Sequence, residues 1–281
     1  MKSHLTIGIV QWLPVPGQGD QNTTYACDQI TGLPGSDLIV LPELWPNACS
    51  GQTAADDARS TAEALDGPRT AALSRAAQSS QSWVLAGSVP ELVGDRIYNT
   101  ALLFDRTGHL VATHRKVNLY TPLGEHEIYT AGEGFVVVET GDIGNVGIAT
   151  CFDADFPETA RALAARGANV VVHPSAYELA AESWWDALYP ANALANGLWW
   201  ISVNQCGTNG GTTQLGASRV ITPQGRIVYE CVRAKEGETP PPMTMQLTID
   251  FEQELSQWQQ HCSILSQPAP ADVTVVEHRN R

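Results

Sequence analysis

The 281-residue sequence predicts a single α/β domain with sheets inside and helices outside. Two observations lead to this class. Short runs of β-branched residues alternate with alanine-rich amphipathic segments, and several neighbouring strand-like runs are separated only by turn residues typical of hairpins. Neither a long linker nor a repeat of fixed period interrupts this alternation. We therefore expect one mixed-sheet domain over residues 1–265 and an extended tail over residues 266–281, where the pattern disappears.

The first half of the chain contains five predicted strands and two predicted helices. The strands are β-branched or aromatic runs that stop at turn residues, and Asp105–Gly108 (D-R-T-G) predicts a hairpin. Gly67 and Pro68 separate the two helices, because glycine commonly ends a helix and proline suits the first helical turn. The predicted strands are Leu5–Trp12, Asp37–Leu41, Trp83–Val89, Ile97–Phe104 and Leu110–Arg115, and the predicted helices are Ala55–Leu65 and Pro68–Gln81.

The second half follows the same logic. Pro157 suits the start of a helix and Gly167 its end, while Pro174 is expected to close a buried strand. The segment T-P-Q-G at 222–225 predicts a hairpin turn. The predicted strands are Phe135–Thr140, Ile143–Thr150, Asn169–His173, Trp199–Asn204 and the hairpin Leu215–Tyr229, and the predicted helices are Pro157–Arg166 and Glu182–Asn196.

Composition excludes several classes of protein. The net charge is −14, and the resulting field repels phosphate backbones and anionic lipids, so we expect neither a nucleic-acid nor a membrane partner. Residues 1–12 resemble a first strand rather than a signal peptide, which predicts a cytoplasmic location. The six cysteines contain no C-x-x-C pair, and the seven histidines lack metal-ligand spacing. Reduced thiols and no metal are the expectation.

Three predicted strand ends are each followed by a reactive side chain. Glu43 follows the strand in L-P-E-L-W-P (41–46), Lys116 follows in H-R-K (114–116), and Cys151 lies between a strand and a helix in G-I-A-T-C-F-D-A-D-F-P-E (147–158). Taken singly, such a cysteine is more often a small buried hydrophobe, and such charged residues are usually solvated. Taken together they predict nucleophilic catalysis, because a thiol with a pKa of ~8.5 needs a base and its product oxyanion needs a positive charge.

These stretches resemble the Glu–Lys–Cys triad of the nitrilase or carbon–nitrogen hydrolase superfamily, and the resemblance extends over roughly residues 5–250. The matching flanks are P-E at 42–43, G-E at 124–125, C-F-D and F-P-E within 151–158, H-P-S-A at 173–176, V-N-Q at 203–205, and G-A-S and P-Q-G within 216–225.

The resemblance implies a four-layer α-β-β-α sandwich that pairs into a homodimer or a higher homo-oligomer through helices beside the nucleophile. Cys151 matches the nucleophile, Glu43 the general base and Lys116 the group that stabilises the tetrahedral intermediate. Glu125 matches a second glutamate near the triad, and the backbone N–H of Phe152 matches an oxyanion donor. By the same resemblance, the protein would hydrolyse a small-molecule amide to an acid and ammonia or an amine through a thioester, without a metal or organic cofactor.

The nucleophile motif favours the amidase branch, since C-F-D resembles the C-Y-D of amide-cleaving members more than the C-W-E of nitrilases. At two positions where relatives commonly carry a basic residue, this chain has Asp155 and Asn192. A carboxylate at 155 weakens the case for substrates with a free carboxylate. The alternative is that Asp155 caps the helix at 157–166 or pairs on the surface. Trp45 and Tyr177 are the predicted aromatic residues of the acyl pocket.

Other functions stay open at this point. Within the superfamily the alternatives are a nitrilase, an N-carbamoyl hydrolase or an acyl-transferring relative. A Cys–His hydrolase using His114 or His173 with Cys151 would leave Glu43 and Lys116 unexplained. A catalytically silent binding or assembly subunit is disfavoured by the intact triad.

Overall fold

The computed structural model describes residues 1–47, 54–209 and 211–261, in which the alternating apolar segments form two six-stranded sheets and one two-stranded ribbon. The predicted tail at 266–281 lies outside the described residues, as do Cys49 and Cys262. The described strands are β1 Leu5–Gln11, β2 Leu38–Val40, β3 Trp83–Val93, β4 Arg96–Phe104, β5 Leu110–Arg115, β6 Val136–Glu139, β7 Asn145–Ile148, β8 Val170–Ser175, β9 Trp199–Asn204, β10 Cys206–Asn209, β11 Thr212–Leu215, β12 Arg219–Ile221, β13 Ile227–Glu230 and β14 Met243–Ile249. The described helices are α1 Gly19–Thr31, α2 Ala54–Thr61, α3 Pro68–Ser80, α4 Glu125–Ile128, α5 Pro157–Ala165, α6 Glu182–Asn196 and α7 Phe251–His261.

Both sheets are mixed, as the combination of hairpins and strand–helix alternation predicts. The first has the order β14-β1-β2-β3-β4-β5, with β1, β2 and β3 parallel. The second has the order β13-β12-β9-β8-β7-β6, with β7, β8 and β9 parallel. The remaining neighbours are antiparallel. Each sheet therefore has parallel central strands, whose carboxyl ends lie at one edge of the sheet.

Three apolar clusters divide the molecule into four layers. The largest lies between the sheets, where Ile7 and Val40 of the first sheet join Ile148 and Val172 of the second. A second cluster packs α5 and α6 on the outer face of the second sheet. A third packs α1 and α3 on the outer face of the first sheet. The predicted α-β-β-α sandwich is confirmed. Within the described part of the chain, no helix combines the length and apolar composition needed to cross a membrane.

The structure corrects several predicted elements. Pro174 does not close its strand but lies inside β8, in a parallel pairing with Val203 of β9. The helix predicted to Leu65 ends at Thr61, because Glu63 leaves it to form a bridge with Glu91 of β3. Helix α1, the ribbon β10–β11, strand β14 and helix α7 have no counterpart among the predicted elements. Both helices are rich in polar residues, so their apolar pattern is weak, and β14 gains its place by pairing with β1.

Candidate active site

The loops after β2 and β8 meet where the two sheets come together. The backbone N–H of Glu43 donates to the carbonyl of Ser175 at 3.3 Å, which joins the end of one sheet to the end of the other. The approach of β3 to this loop requires a glycine. Gly87 has φ +62, and a Cβ at this position would lie 1.9 Å from the carbonyl oxygen of Pro42. The position of Glu43 thus depends on the absence of a side chain at residue 87.

Glu43, Lys116 and Glu125 form a buried ion cluster. Lys116 Nζ lies 2.9 Å from Glu43 Oε1 and 2.8 Å from Glu125 Oε1, and its side chain is fully buried. The second oxygen of each carboxylate accepts a backbone N–H, from Ala176 at 2.9 Å for Glu43 and from Tyr120 at 2.7 Å for Glu125. Every charge in the cluster therefore has a fixed partner, which holds the three side chains in one geometry.

Two opposing effects set the protonation of this cluster. Burial disfavours the charged form of Lys116, but the carboxylates of Glu125 and Glu43 outweigh it and hold the pKa of the ammonium well above its ordinary value. Burial raises the pKa of Glu125, against the opposite effect of the Lys116 ammonium. Lys116 is therefore a permanent cation at neutral pH.

Cys151 begins a 3₁₀ turn over Cys151–Asp155 and has φ +46, an uncommon conformation for a residue with a side chain. His173 contacts its carbonyl oxygen at 3.1 Å through Nε2. Since the N–H of Trp200 can only donate, and it points at His173 Nδ1 at 3.4 Å, the proton of the neutral ring resides on Nε2. Burial lowers the pKa of His173 to about 3, so the ring stays neutral, and its Nε2–H donates to the carbonyl oxygen of Cys151.

The thiol of Cys151 is protonated at neutral pH rather than a preformed thiolate. Burial raises its pKa well above the ordinary value, and the Glu43 carboxylate raises it further, whereas the ammonium of Lys116 lowers it. The backbone N–H of Ala176 favours the thiolate as a hydrogen-bond donor. A thiol in this setting needs a base at the moment of attack, and Glu43 is the carboxylate whose charge acts most strongly on it.

Asp153 connects the 3₁₀ turn that begins at Cys151 to the segment after Lys116. Its Oδ1 accepts the backbone N–H groups of Val117 at 3.1 Å and Asn118 at 2.7 Å. Its Oδ2 accepts the N–H of Thr150 at 3.1 Å and contacts His114 Nε2 at 2.9 Å. The side chain is fully buried. One carboxylate therefore fixes the positions of the loops that carry Cys151 and Lys116 relative to each other.

A small cavity opens beside Cys151, and Phe152, Asp155, Tyr177 and Glu178 contribute to its lining. Asp155 accepts hydrogen bonds from the hydroxyl groups of Tyr177 at 2.9 Å and Tyr189 at 2.8 Å. Burial raises the pKa of Asp155, and these two hydrogen bonds oppose the rise. The cap hypothesis for Asp155 is wrong, because the residue before helix α5 is Phe156 and no side-chain hydrogen bond caps that helix.

Trp45 does not line this cavity. Its side chain is fully buried in the outer core of the first sheet, where Nε1 donates to the carbonyl of Ala86 at 2.6 Å and the ring lies against Trp12. Its position in the sequence, two residues after Glu43, does not bring it to the pocket because the chain turns at Leu44, whose φ is +44. Tyr177 lines the cavity. The roles of Phe152 N–H and of the triad residues stay predictions.

The structure also brings in residues that sequence reasoning did not select. Asn99 donates to Glu43 Oε1 at 2.8 Å. Asp153 accepts the backbone N–H groups that follow Lys116, and Glu178 lines the cavity. Of these three residues, only Asp153 could have been selected from the sequence, because it is the aspartate of the C-F-D motif. His114 and His173 do not act on the sulfur: the first contacts Asp153, and the second contacts the carbonyl of Cys151. The Cys–His alternative therefore lacks a base.

The sequence is similar to a family of hydrolases and to individual amidases. The sequence profile of the family described as carbon–nitrogen hydrolase matches residues 12–260. The chain is similar to the chloroplastic omega-amidase of Arabidopsis thaliana, with 33% identity over 79% of this chain and 63% of that protein. It is similar to the 2-oxoglutaramate amidase of Paenarthrobacter nicotinovorans, with 32% identity over 72% of this chain and 71% of that protein.

The chain also resembles a solved amidase structure over most of its length. A mutant of the amidase from Nesterenkonia sp. AN1, which carries the acetamide moiety of fluoroacetamide bound covalently to its active-site cysteine, superposes with a TM-score of 0.77. The identity is 26%, and the match covers 93% of this chain and 94% of that one. Fold and chain length agree over this match.

Proposed function

The chain belongs to the carbon–nitrogen hydrolase family, and on this premise we propose that it hydrolyses a small linear amide to a carboxylic acid and ammonia or an amine through a thioester on Cys151. The observation that carries this proposal is the fully buried Lys116 ammonium, held between Glu43 and Glu125 and acting electrostatically on Cys151. A cation, a carboxylate base and a thiol in one cluster supply the charges that amide hydrolysis needs.

The first half of the reaction forms the thioester. Glu43 takes the thiol proton of Cys151 as the sulfur attacks the amide carbon, and the carbonyl oxygen becomes negative. The Lys116 ammonium and the N–H of Phe152 stabilise that oxygen. The C–N bond then breaks, the proton on Glu43 passes to the leaving nitrogen, and ammonia or an amine departs.

The second half releases the acid. A water molecule attacks the thioester carbon while Glu43 removes its proton, and the same donors stabilise the second tetrahedral oxyanion. The C–S bond breaks, the proton on Glu43 returns to the sulfur, and the carboxylic acid leaves. Glu125 holds Lys116 in place through both halves, because its carboxylate accepts a second hydrogen bond from the ammonium at 2.8 Å.

The experiment combines an ammonia assay on a panel of short amides with intact-mass analysis of the Glu43→Gln variant. Wild type should release ammonia from amides, and Glu43→Gln should accumulate an acyl adduct that Cys151→Ala lacks. Matched nitriles, N-carbamoyl compounds and an added amine acceptor test the other activities of the superfamily. Ammonia from nitriles with none from amides would overturn the proposal, and turnover of none of these compounds would favour a silent subunit.

We also propose a homo-oligomer that pairs through α5 and α6. Supporting this, three large apolar side chains at these helices are exposed: Phe156 directly before α5 and Trp184 and Leu194 on α6, at 38%, 52% and 48%. Sedimentation velocity of wild type and Leu194→Glu tests it, since a stable dimer should dissociate in the variant. The cytoplasmic location stays a prediction.

A further inference from the structure

The charged groups around the cavity are of one sign. Asp155 and Glu178 line it, and none of the lining residues that the structure describes is a lysine or an arginine. Among the cations that the structure describes, Lys116 acts electrostatically on Cys151 and Asp155, but it is 1% exposed and already held by two carboxylates. A substrate that carries a carboxylate would therefore enter a cavity without a free positive partner.

Glu178 differs from Asp155 in its hydrogen bonding. Both oxygens of Asp155 accept a tyrosine hydroxyl, from Tyr189 and Tyr177. Glu178 Oε1, in contrast, is buried and has no hydrogen-bond partner within the described residues. Its backbone is fixed, because residue 178 forms an antiparallel bridge with Gln214. An unpaired buried carboxylate oxygen is costly, and a bound cation would remove that cost.

Aromatic rings surround the same space. Tyr120, Phe152 and Trp184 contribute to the cavity lining, and the ring of Tyr120 meets that of Phe152 edge to face at 4.9 Å. Tyr120 lies close enough to Glu178 for the carboxylate to act on its hydroxyl. Aromatic faces beside a carboxylate form a common recognition site for ammonium and guanidinium groups. The negative charge, the unpaired oxygen of Glu178 and the aromatic lining therefore all favour a cationic ligand group.

Resting on the proposed function above, we propose that the preferred substrate is an amide with a cationic group at its far end, and that Glu178 binds this group. The chain then differs in specificity from its relative named for 2-oxoglutaramate, a compound that bears a carboxylate. Asp155 contributes negative potential, while Glu178 makes the direct contact.

The test compares three amides that share a two-methylene spacer between the carboxamide and the terminal group: 3-aminopropanamide is cationic, butyramide is its neutral isostere, and succinamate is anionic. In wild type, kcat/KM should be at least about fivefold higher for the cationic than for the neutral amide, and lowest for succinamate. Added salt should reduce the preference. Glu178→Gln should bring the cationic and neutral values within about twofold of each other, chiefly through a fall in the cationic value.

Glu236→Gln is the matched control, because residue 236 is an exposed glutamate outside the cavity lining and the change removes the same charge. Equal kcat/KM for the three amides in wild type, or a cationic preference that survives Glu178→Gln, would overturn this inference and leave the hydrolase proposal intact. Absence of ammonia from all three, with no acyl adduct in Glu43→Gln, would overturn the hydrolase proposal and this inference with it.

Discussion

Replacement of Lys116 by methionine tests the ion cluster most directly. Methionine has a similar length and no charge, so the variant removes the ammonium with little change in volume. Lys116 lies 2.9 Å from Glu43 and 2.8 Å from Glu125, whose side chains are 2% and 12% exposed. The change therefore leaves two carboxylates in a largely dry site without their common cation.

The size of the effect follows from this geometry. Removing one partner of a buried ion pair costs about 3–5 kcal/mol of unfolding free energy. For a domain of this size, roughly 2–4 °C of Tm per kcal/mol converts this to a decrease of about 6–20 °C. Loss of a charged oxyanion donor should also lower kcat by ~10²–10³ with a smaller change in KM, because the ammonium contacts charge that develops only in the reaction.

The stability loss should depend on pH. Burial already raises the pKa of Glu125, and removal of Lys116 removes the main influence that lowers it. A carboxyl group whose folded pKa exceeds its unfolded value of ~4.3 binds a proton on folding, so it destabilises the fold only as pH rises above that value. The Tm difference between wild type and Lys116→Met should therefore widen from about pH 4 to pH 7 and narrow again on acidification.

Thermal melts and steady-state kinetics measure both effects. Lys2→Met is the control, since Lys2 pairs with Asp37 at a side chain 47% exposed, and its loss should cost less than about 1 kcal/mol with activity unchanged. The double variant Lys116→Met/Glu125→Gln should regain part of the Tm but none of the activity. An unchanged Tm in Lys116→Met would refute the buried ion cluster, and a raised KM with unchanged kcat would refute the oxyanion role.

Three further predictions concern the nucleophile and its support. Cys151→Ala should keep its fold by circular dichroism but lose amide hydrolysis by at least about 10⁴-fold, whereas Cys206→Ala should retain activity of the same order; equal activity in both would redirect the assignment. Asp153→Asn replaces a carboxylate that accepts several backbone N–H groups by an amide, whose NH2 group cannot accept them. The variant should lower kcat at least about tenfold, which is more than the change in KM. An effect on Tm alone would mean that Asp153 has only a structural role. Gly87→Ala should cost more than about 2 kcal/mol and reduce kcat by displacing Glu43, while Gly94→Ala, which has a similar φ of +61 but an open environment, should cost only the backbone strain; equal losses in both would contradict the proposed clash.

Local sequence pattern determined much of this protein. It predicted helix Glu182–Asn196 and strands Leu110–Arg115 and Trp199–Asn204 with the bounds that the structure has, because periodicity and turn residues are properties of neighbouring positions. It also selected Glu43, Lys116 and Cys151, each at the end of a strand. Glu43 and Cys151 follow the parallel strands β2 and β7, and Lys116 follows β5, which runs in the same direction as β3 because two antiparallel pairings separate them. These strand ends therefore lie at one edge of their sheets, so selecting the strand ends was enough to select side chains that meet.

Tertiary structure alone decided how those residues are held and what surrounds them. Asp155 follows the nucleophile closely in sequence, but its partners Tyr177 and Tyr189 come 22 and 34 residues later. Trp45 is near Glu43 in sequence and yet points into the outer core. The buried oxygen of Glu178 became significant only once the cavity around it was formed. A hydrogen bond or an unmet charge depends on which distant segments pack together, and packing is set by the whole chain rather than by any local pattern.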